Sequence, residues 1–178
     1  MKSSYICCVL LFVLFLVSCT DGRSEGQVVR LLRQAEMCME ECPDSALVYL
    51  HQISDPEKLT GENQADYCLL LTQAMDKNDL PLSSDSLIQI AVGYYSNKGD
   101  AECKAKALFY KGRVFQQQGN LEGATLLYKK AESMIPDLTD YYLVGLIYSY
   151  QGHLNRDEEH YKKALLYYEK ALPCYRTI

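Results

Sequence analysis

Tryptophan is absent from this 178-residue chain, and proline (5), phenylalanine (4) and histidine (3) are scarce. Few prolines leave few obligatory helix breaks. No stretch shows the every-second-residue alternation of valine and isoleucine that a half-buried strand needs. Basic clusters are missing as well, and the formal charge is −5, which excludes nucleic acid as a partner because phosphates must be neutralised by Lys and Arg. There is no G-x-S-x-G, no H-E-x-x-H and no glycine-rich phosphate loop with its lysine. The signatures of acyl transfer, zinc hydrolysis and nucleotide chemistry are thus wanting, and the chain reads as a non-enzyme without cofactor. The longest apolar run, Ile6 to Val17, has 12 residues, short of the about 20 that span a bilayer.

That run does suit the apolar part of a secretory signal, with Lys2 before it and small Ser18 after it. Leu16-Val17-Ser18-Cys19 resembles the bacterial lipobox. The resemblance implies that Cys19 takes a diacylglyceryl group as a thioether and becomes the new N-terminus. The expected organisation is a signal peptide over 1–18, a lipidated tether over 19–24 and a repeat domain over 25–178. Two or more acyl chains hold a protein stably at a membrane, whereas one holds it marginally. The expected location is the cell envelope, with the outer membrane preferred. Cleavage removes Lys2 and no acidic residue, leaving 17 basic against 23 acidic groups and a formal charge of −6.

Of eight cysteines, Cys7 and Cys8 leave with the signal and Cys19 carries lipid. Cys38, Cys42, Cys68, Cys103 and Cys174 remain, an odd number that reads as small buried apolar residues rather than a disulfide framework. Val28, Leu31, Leu32, Ala35, Cys38, Met39 and Cys42 fall on one helical stripe, which predicts that both thiols of Cys38-x3-Cys42 face the core. Four apart on a helix, their β-carbons lie about 5–6 Å from each other, too far for a disulfide at about 3.5–4.5 Å. His153, Asp157 and His160 share one polar tip, read as solvated loop; no metal site is assigned.

The most informative stretch runs from Leu108 to Pro136. Leu108, Gly112 and Phe115 form one helical stripe, Gly119-Asn120 breaks the helix, and Ala124, Tyr128 and Ala131 form a second stripe before Pro136. These residues resemble the tetratricopeptide repeat, with Leu108 in place of its tryptophan and Lys111 in place of its leucine. Similar second-helix stripes recur as Ala46/Leu50/Ile53, Leu87/Ala91/Tyr94 and Ala164/Tyr168/Ala171. Tyr142, Gly145 and Tyr148 mark the first helix of the last unit. Gly145 then stands 19 residues before Ala164, against 12 between Gly112 and Ala124, which predicts a longer tip around 152–157 and a capping start at Asn155-x-x-Glu158. The fold expected is all-α: a right-handed helical-hairpin solenoid of about four tetratricopeptide-like repeats.

The segments CPDSALVYL, ADYCLLLTQAMDKND and SDSLIQIAVGYY resemble the N-terminal region of a family of Bacteroidetes-type tetratricopeptide lipoproteins. Longer members carry a membrane helix and a cytoplasmic output domain, so the resemblance implies the sensing or scaffolding half. It also implies that first-helix residues line a groove for a protein or peptide partner. Carried over, these are Lys106, Phe109, Arg113 and Gln116, then Tyr142, Leu146 and Ser149. A structural subunit of an outer-membrane assembly or uptake complex is an alternative, as is a metal- or small-ligand-binding lipoprotein. Tyrosine, at 15 residues, crowds the C-terminal half. Ala164, Tyr168, Ala171 and Tyr175 form one apolar stripe and Leu165 and Leu172 another, so the last helix is expected to be covered by a partner, by a second copy in a homodimer, or by further sequence of a longer protein.

The intact mass of the protein extracted from membranes should match residues 19–178 plus acyl chains. Cys19→Ala should abolish both the acyl mass and the cleavage before residue 19.

Overall fold

The computed structural model describes residues 21–177, with side chains from Glu25 onward; the signal segment and Cys19 lie outside the described residues. Four helix pairs follow one another: α1 (Asp21–Cys38) with α2 (Pro43–His51), α3 (Gly61–Lys77) with α4 (Ser86–Lys98), α5 (Ala101–Gln117) with α6 (Leu121–Glu132), and α7 (Tyr141–Asp157) with α8 (Tyr161–Arg176). Each helix packs on its neighbours in sequence, and α3 also touches α1 and α5. Among the described residues there is no strand, and no helix is long and apolar enough to cross a membrane. Helix α1 takes in residues 21–24, which the sequence reading gives to the tether.

The first helix of each pair starts at residue 21, 61, 101 or 141, forty residues apart each time. The turns inside the last three pairs share one backbone design. Asp79, Gly119 and Glu159 adopt the left-handed conformation with φ of 54°, 79° and 61°. The following N–H groups, of Leu80, Asn120 and His160, donate to the carbonyls of Met75, Phe115 and Asn155 at 2.9, 2.9 and 2.7 Å. This is the Schellman closure, which satisfies carbonyls left over at a helix end. At the starts, Asp100, Asn120 and Asp140 accept from the N–H of Cys103, Gly123 and Leu143 at 2.8, 2.9 and 3.0 Å. Each such cap is worth about 1 kcal/mol.

Packing inside the last two pairs depends on glycine. Beneath the ring of Tyr128, Gly112 leaves so little room that a β-carbon there would come within 2.4 Å of it. Ala124, Tyr128 and Ala131 on the facing helix are fully buried. In the last pair the same contact is made by Gly152 under Tyr168, where a β-carbon would meet the ring at 2.5 Å. Gly152, rather than Gly145, therefore matches Gly112, and the longer tip predicted for the last pair does not exist. Gly145 misleads because it is also covered by an aromatic ring, that of Tyr175, two turns along the same face. Asn155 lies inside α7, donating to the Gln151 carbonyl at 2.8 Å, and α8 starts only at Tyr161, so the predicted capping start is also corrected.

Two further expectations shift. The buried face of α4 is Ile88, Ala91 and Tyr95, one residue along from Leu87 and Tyr94, because Asn78–Asp85 forms a long connection whose Leu82 is buried. Leu82 is pinned there by its N–H to Gln117 at 3.0 Å and its carbonyl from Gln118 at 3.3 Å. Helix α1 ends at Cys38, so Cys42 caps α2 and is exposed rather than facing the core.

Gly112→Ala should destabilise the protein by about 1–3 kcal/mol through overpacking against a ring that has nowhere to go. Gly152→Ala should cost less, since Tyr168 is only half-buried. Gly93→Ala, where a β-carbon meets nothing within 4 Å, should instead gain about 0.5–1 kcal/mol from helix propensity. Urea unfolding of the three variants checks the order.

Candidate functional site

Helices α1, α3 and α5 carry two different surfaces along their length. The C-terminal halves of α3 and α5 form a polar network with Glu40, which follows α1. Glu40, just past α1, accepts from Gln73 Nε2 at 3.0 Å and Lys77 Nζ at 2.6 Å, both on α3. Lys77 also donates to the Tyr142 hydroxyl on α7 at 3.2 Å. Arg113 on α5 clamps Asp76 on α3 with Nε and Nη2 at 2.9 and 2.8 Å. The guanidinium lies 4.2 Å from the centre of the Tyr150 ring, and the side chains of Arg113 and Asp76 are 14% and 7% exposed. Gln117 donates to Asp76 at 3.1 Å, and Gln116 accepts from Arg113 at 3.0 Å and from the Tyr128 hydroxyl at 2.9 Å. Each of these side chains is held by at least one partner inside the protein.

The N-terminal halves of α3 and α5, together with the stretch 29–36 of α1, instead open into a cleft of about 310 Å³. Val29, Leu32, Arg33 and Glu36 of α1 form one wall, and Asn63, Asp66, Leu69 and Leu70 of α3 the floor; Tyr95 of α4 with Cys103 and Lys106 of α5 closes the other side. The Tyr95 hydroxyl donates to the Asp66 carboxylate. Burial raises the pKa of Asp66 against the opposing pull of that hydrogen bond, with Glu62 and Glu36 adding to the rise. Asp66 is thus a carboxylate held partly out of water and short of positive charge. Burial, then the Asp100 charge, pushes the Cys103 thiol up to about 12, so it offers no thiolate at neutral pH. Among the described residues neither Arg33 nor Lys106 has a carboxylate within 4 Å. The cleft offers two cations, two carboxylates, one carboxamide and an apolar floor.

The seven candidate groove residues do not line one surface. Lys106 lies in the cleft. Phe109 is 1% exposed and packs on Tyr110, Tyr128 and Tyr150, so it is a core residue. Arg113 and Gln116 belong to the internal network. Tyr142 receives Lys77 and packs edge-on against Tyr175, Leu146 is half-buried against the core, and Ser149 shares a 3.2 Å hydrogen bond with Tyr175. Arg33, Asn63 and Asp66 were missed because the motif was carried only onto the last two units. The forty-residue spacing would have found Asp66, which stands forty residues before Lys106.

The potential metal ligands also disperse. The His153 Nδ1 meets the Tyr168 hydroxyl at 3.0 Å, Asp157 pairs with Arg156 at 2.9 Å and His160 with Glu158 at 3.3 Å. No three His, Cys, Asp or Glu among the described residues are grouped to share an ion.

Asp76→Ala should cost about 3–5 kcal/mol, because it strands the Arg113 charge in the interior. Asp76→Ala combined with Arg113→Met should recover much of that loss, as a double-mutant cycle in urea will read.

Comparison with protein-family models, with curated proteins and with solved structures returns no match.

Proposed function

We propose that the protein is a membrane-tethered interaction scaffold that holds a segment of a partner protein in the α1/α3/α5 cleft. In this reading the four helix pairs form a right-handed solenoid of tetratricopeptide-like units. The forty-residue recurrence of helix starts, left-handed turn residues and the Gly112–Tyr128 and Gly152–Tyr168 contacts supports it. Lipid on Cys19 anchors the chain in the cell envelope, at the outer membrane, and its work is presentation of a surface rather than a chemical step.

The observation that carries the reading is the charge in the cleft: among the described residues Arg33 and Lys106 have no carboxylate within 4 Å, while Asp66 is partly desolvated with a tyrosine hydroxyl to hold it. A polypeptide segment supplies what these groups lack: carboxylates or carbonyls for the cations, N–H groups for Asp66 and Asn63, and a side chain for the apolar floor. The neighbouring network holds the three helices in place, so little ordering cost falls on binding.

A second reading, a structural subunit of an envelope assembly, is favoured by α8. Its Tyr161, Leu165 and Leu172 are 64%, 59% and 49% exposed on one stripe. The residues forty positions earlier, Leu121, Thr125 and Glu132, are half-buried. In this reading α8 is where another subunit or a second copy docks.

Photo-crosslinking amino acids placed at residues 106, 126 and 165 of the membrane-bound protein separate these readings. A crosslink to another protein from position 106, lost when Arg33→Glu reverses the charge at that position, supports the scaffold reading. Crosslinks from 165 alone support the structural subunit. Crosslinks only from Leu126, on the exposed side of α6, or from none of the three reject both.

A further inference from the structure

Far from the cleft, one buried polar group has nothing to bond. Gln151, on α7, is 3% exposed, yet its Nε2 has no hydrogen-bond partner among the described residues. A buried donor without an acceptor costs the fold its full desolvation. Gln151 borders a cavity of about 270 Å³ where α6, the end of α7 and the start of α8 meet. Thr125 and Lys129 of α6, Asn155 of α7 and Lys163 and Tyr167 of α8 also border it.

The preceding junction shows what is missing. Forty residues earlier, Gln151 corresponds to Lys111, Lys129 to Gln89 and Thr125 to Asp85. There Lys111 donates to the Gln89 carboxamide oxygen and lies 3.9 Å from the Asp85 carboxylate. At the last junction both acceptors are replaced: Lys129 is a donor, and Thr125 already gives its hydroxyl proton to the Leu121 carbonyl at 2.8 Å. Neither position offers Gln151 Nε2 an acceptor. Lys129 and Lys163 have no carboxylate within 4 Å among the described residues. The one carboxylate on the rim, Glu158, lies 3.3 Å from His160, which also borders the cavity.

We propose that this cavity binds a small carboxylate, one oxygen accepting from Gln151 Nε2 and the charge held by Lys129 and Lys163. A carboxylate fits the pattern because its two oxygens offer several acceptor sites and no donor, and contact with ammonium groups strengthens each bond. Leu154 and the Tyr167 ring line the cavity as well and give a short carbon body an apolar wall. Two sources share this chemistry, a free organic acid and the C-terminal carboxylate of a peptide. The site is separate from the cleft and does not depend on its role.

The test uses the full-length protein in detergent at constant ionic strength, titrated with sodium propionate, sodium phosphate, acetyl-Gly-Ala and its C-terminal amide. Binding is followed by thermal unfolding and calorimetry. Propionate and the free dipeptide are expected to raise the melting temperature saturably, with no response to the amide. Lys129→Ala combined with Lys163→Ala is expected to weaken binding about tenfold or more, as loss of charge-assisted bonds does. Gln151→Leu should abolish the response while leaving the unliganded protein at least as stable, because the orphan donor is gone; this separates loss of the site from loss of the fold. Tighter binding of the dipeptide than of propionate assigns the site to a chain terminus, and equal or weaker binding assigns it to a free acid. No response beyond that to chloride, a stronger response to phosphate, or a response that survives Gln151→Leu overturns the proposal.

Discussion

A guanidinium inside a protein is tolerated only when almost every donor is answered, and the Arg113–Asp76 pair shows how this chain meets that demand. Arg113 reaches from α5 to α3 with a two-pronged clamp, leans on the Tyr150 ring from α7 and holds Gln116 on its own helix. Three of the four first helices thereby meet at one charged point. Such a pair adds little net stability over an apolar substitute, but it penalises any arrangement that leaves either charge unmatched. It therefore bears on geometry more than on strength. Lys77, shared between Glu40 and Tyr142, extends the same constraint from the end of α1 to the start of α7.

This constraint separates two tasks on one set of helices. Toward the C-terminal ends of α1, α3 and α5 the polar groups are consumed by each other. Toward the N-terminal ends of α3 and α5, facing Arg33 and Glu36 of α1, they are left open to solvent, in a cleft whose Asp66 carries a raised pKa from burial. A partly desolvated carboxylate held by a tyrosine hydroxyl, in a cleft whose two cations have no carboxylate within 4 Å among the described residues, adds little to the structure itself, and such local inconsistency is a pointer to function. The rigid half holds the walls; the open half carries the unmet chemistry.

The same logic distinguishes the successive junctions. Their backbones are nearly interchangeable, with left-handed residues at Asp79, Gly119 and Glu159 and equivalent closures behind them. Their side chains are not. Lys111 finds Gln89, while Gln151 finds no acceptor. A recurring frame makes each departure visible, because the neighbouring unit supplies the reference for what a satisfied junction looks like.

The all-helical architecture, the division into four helix pairs and the turn at Gly119-Asn120 were legible in the residues, since periodicity and turn chemistry act over short distances. Register was not legible where two glycines compete: Gly145 and Gly152 lie on the same face of α7, and only the packing of Tyr168 and Tyr175 shows which repeats Gly112. The positions of Lys106 and the tyrosines were also open to reading, but not their company. Whether Arg113 is a free cation or half of a buried pair, and whether Phe109 meets a partner or the core, depends on residues 37 or more positions away. Local sequence thus determined where the chain coils and turns. Tertiary structure alone decided which polar groups are satisfied, because satisfaction depends on neighbours that only folding brings within 3 Å.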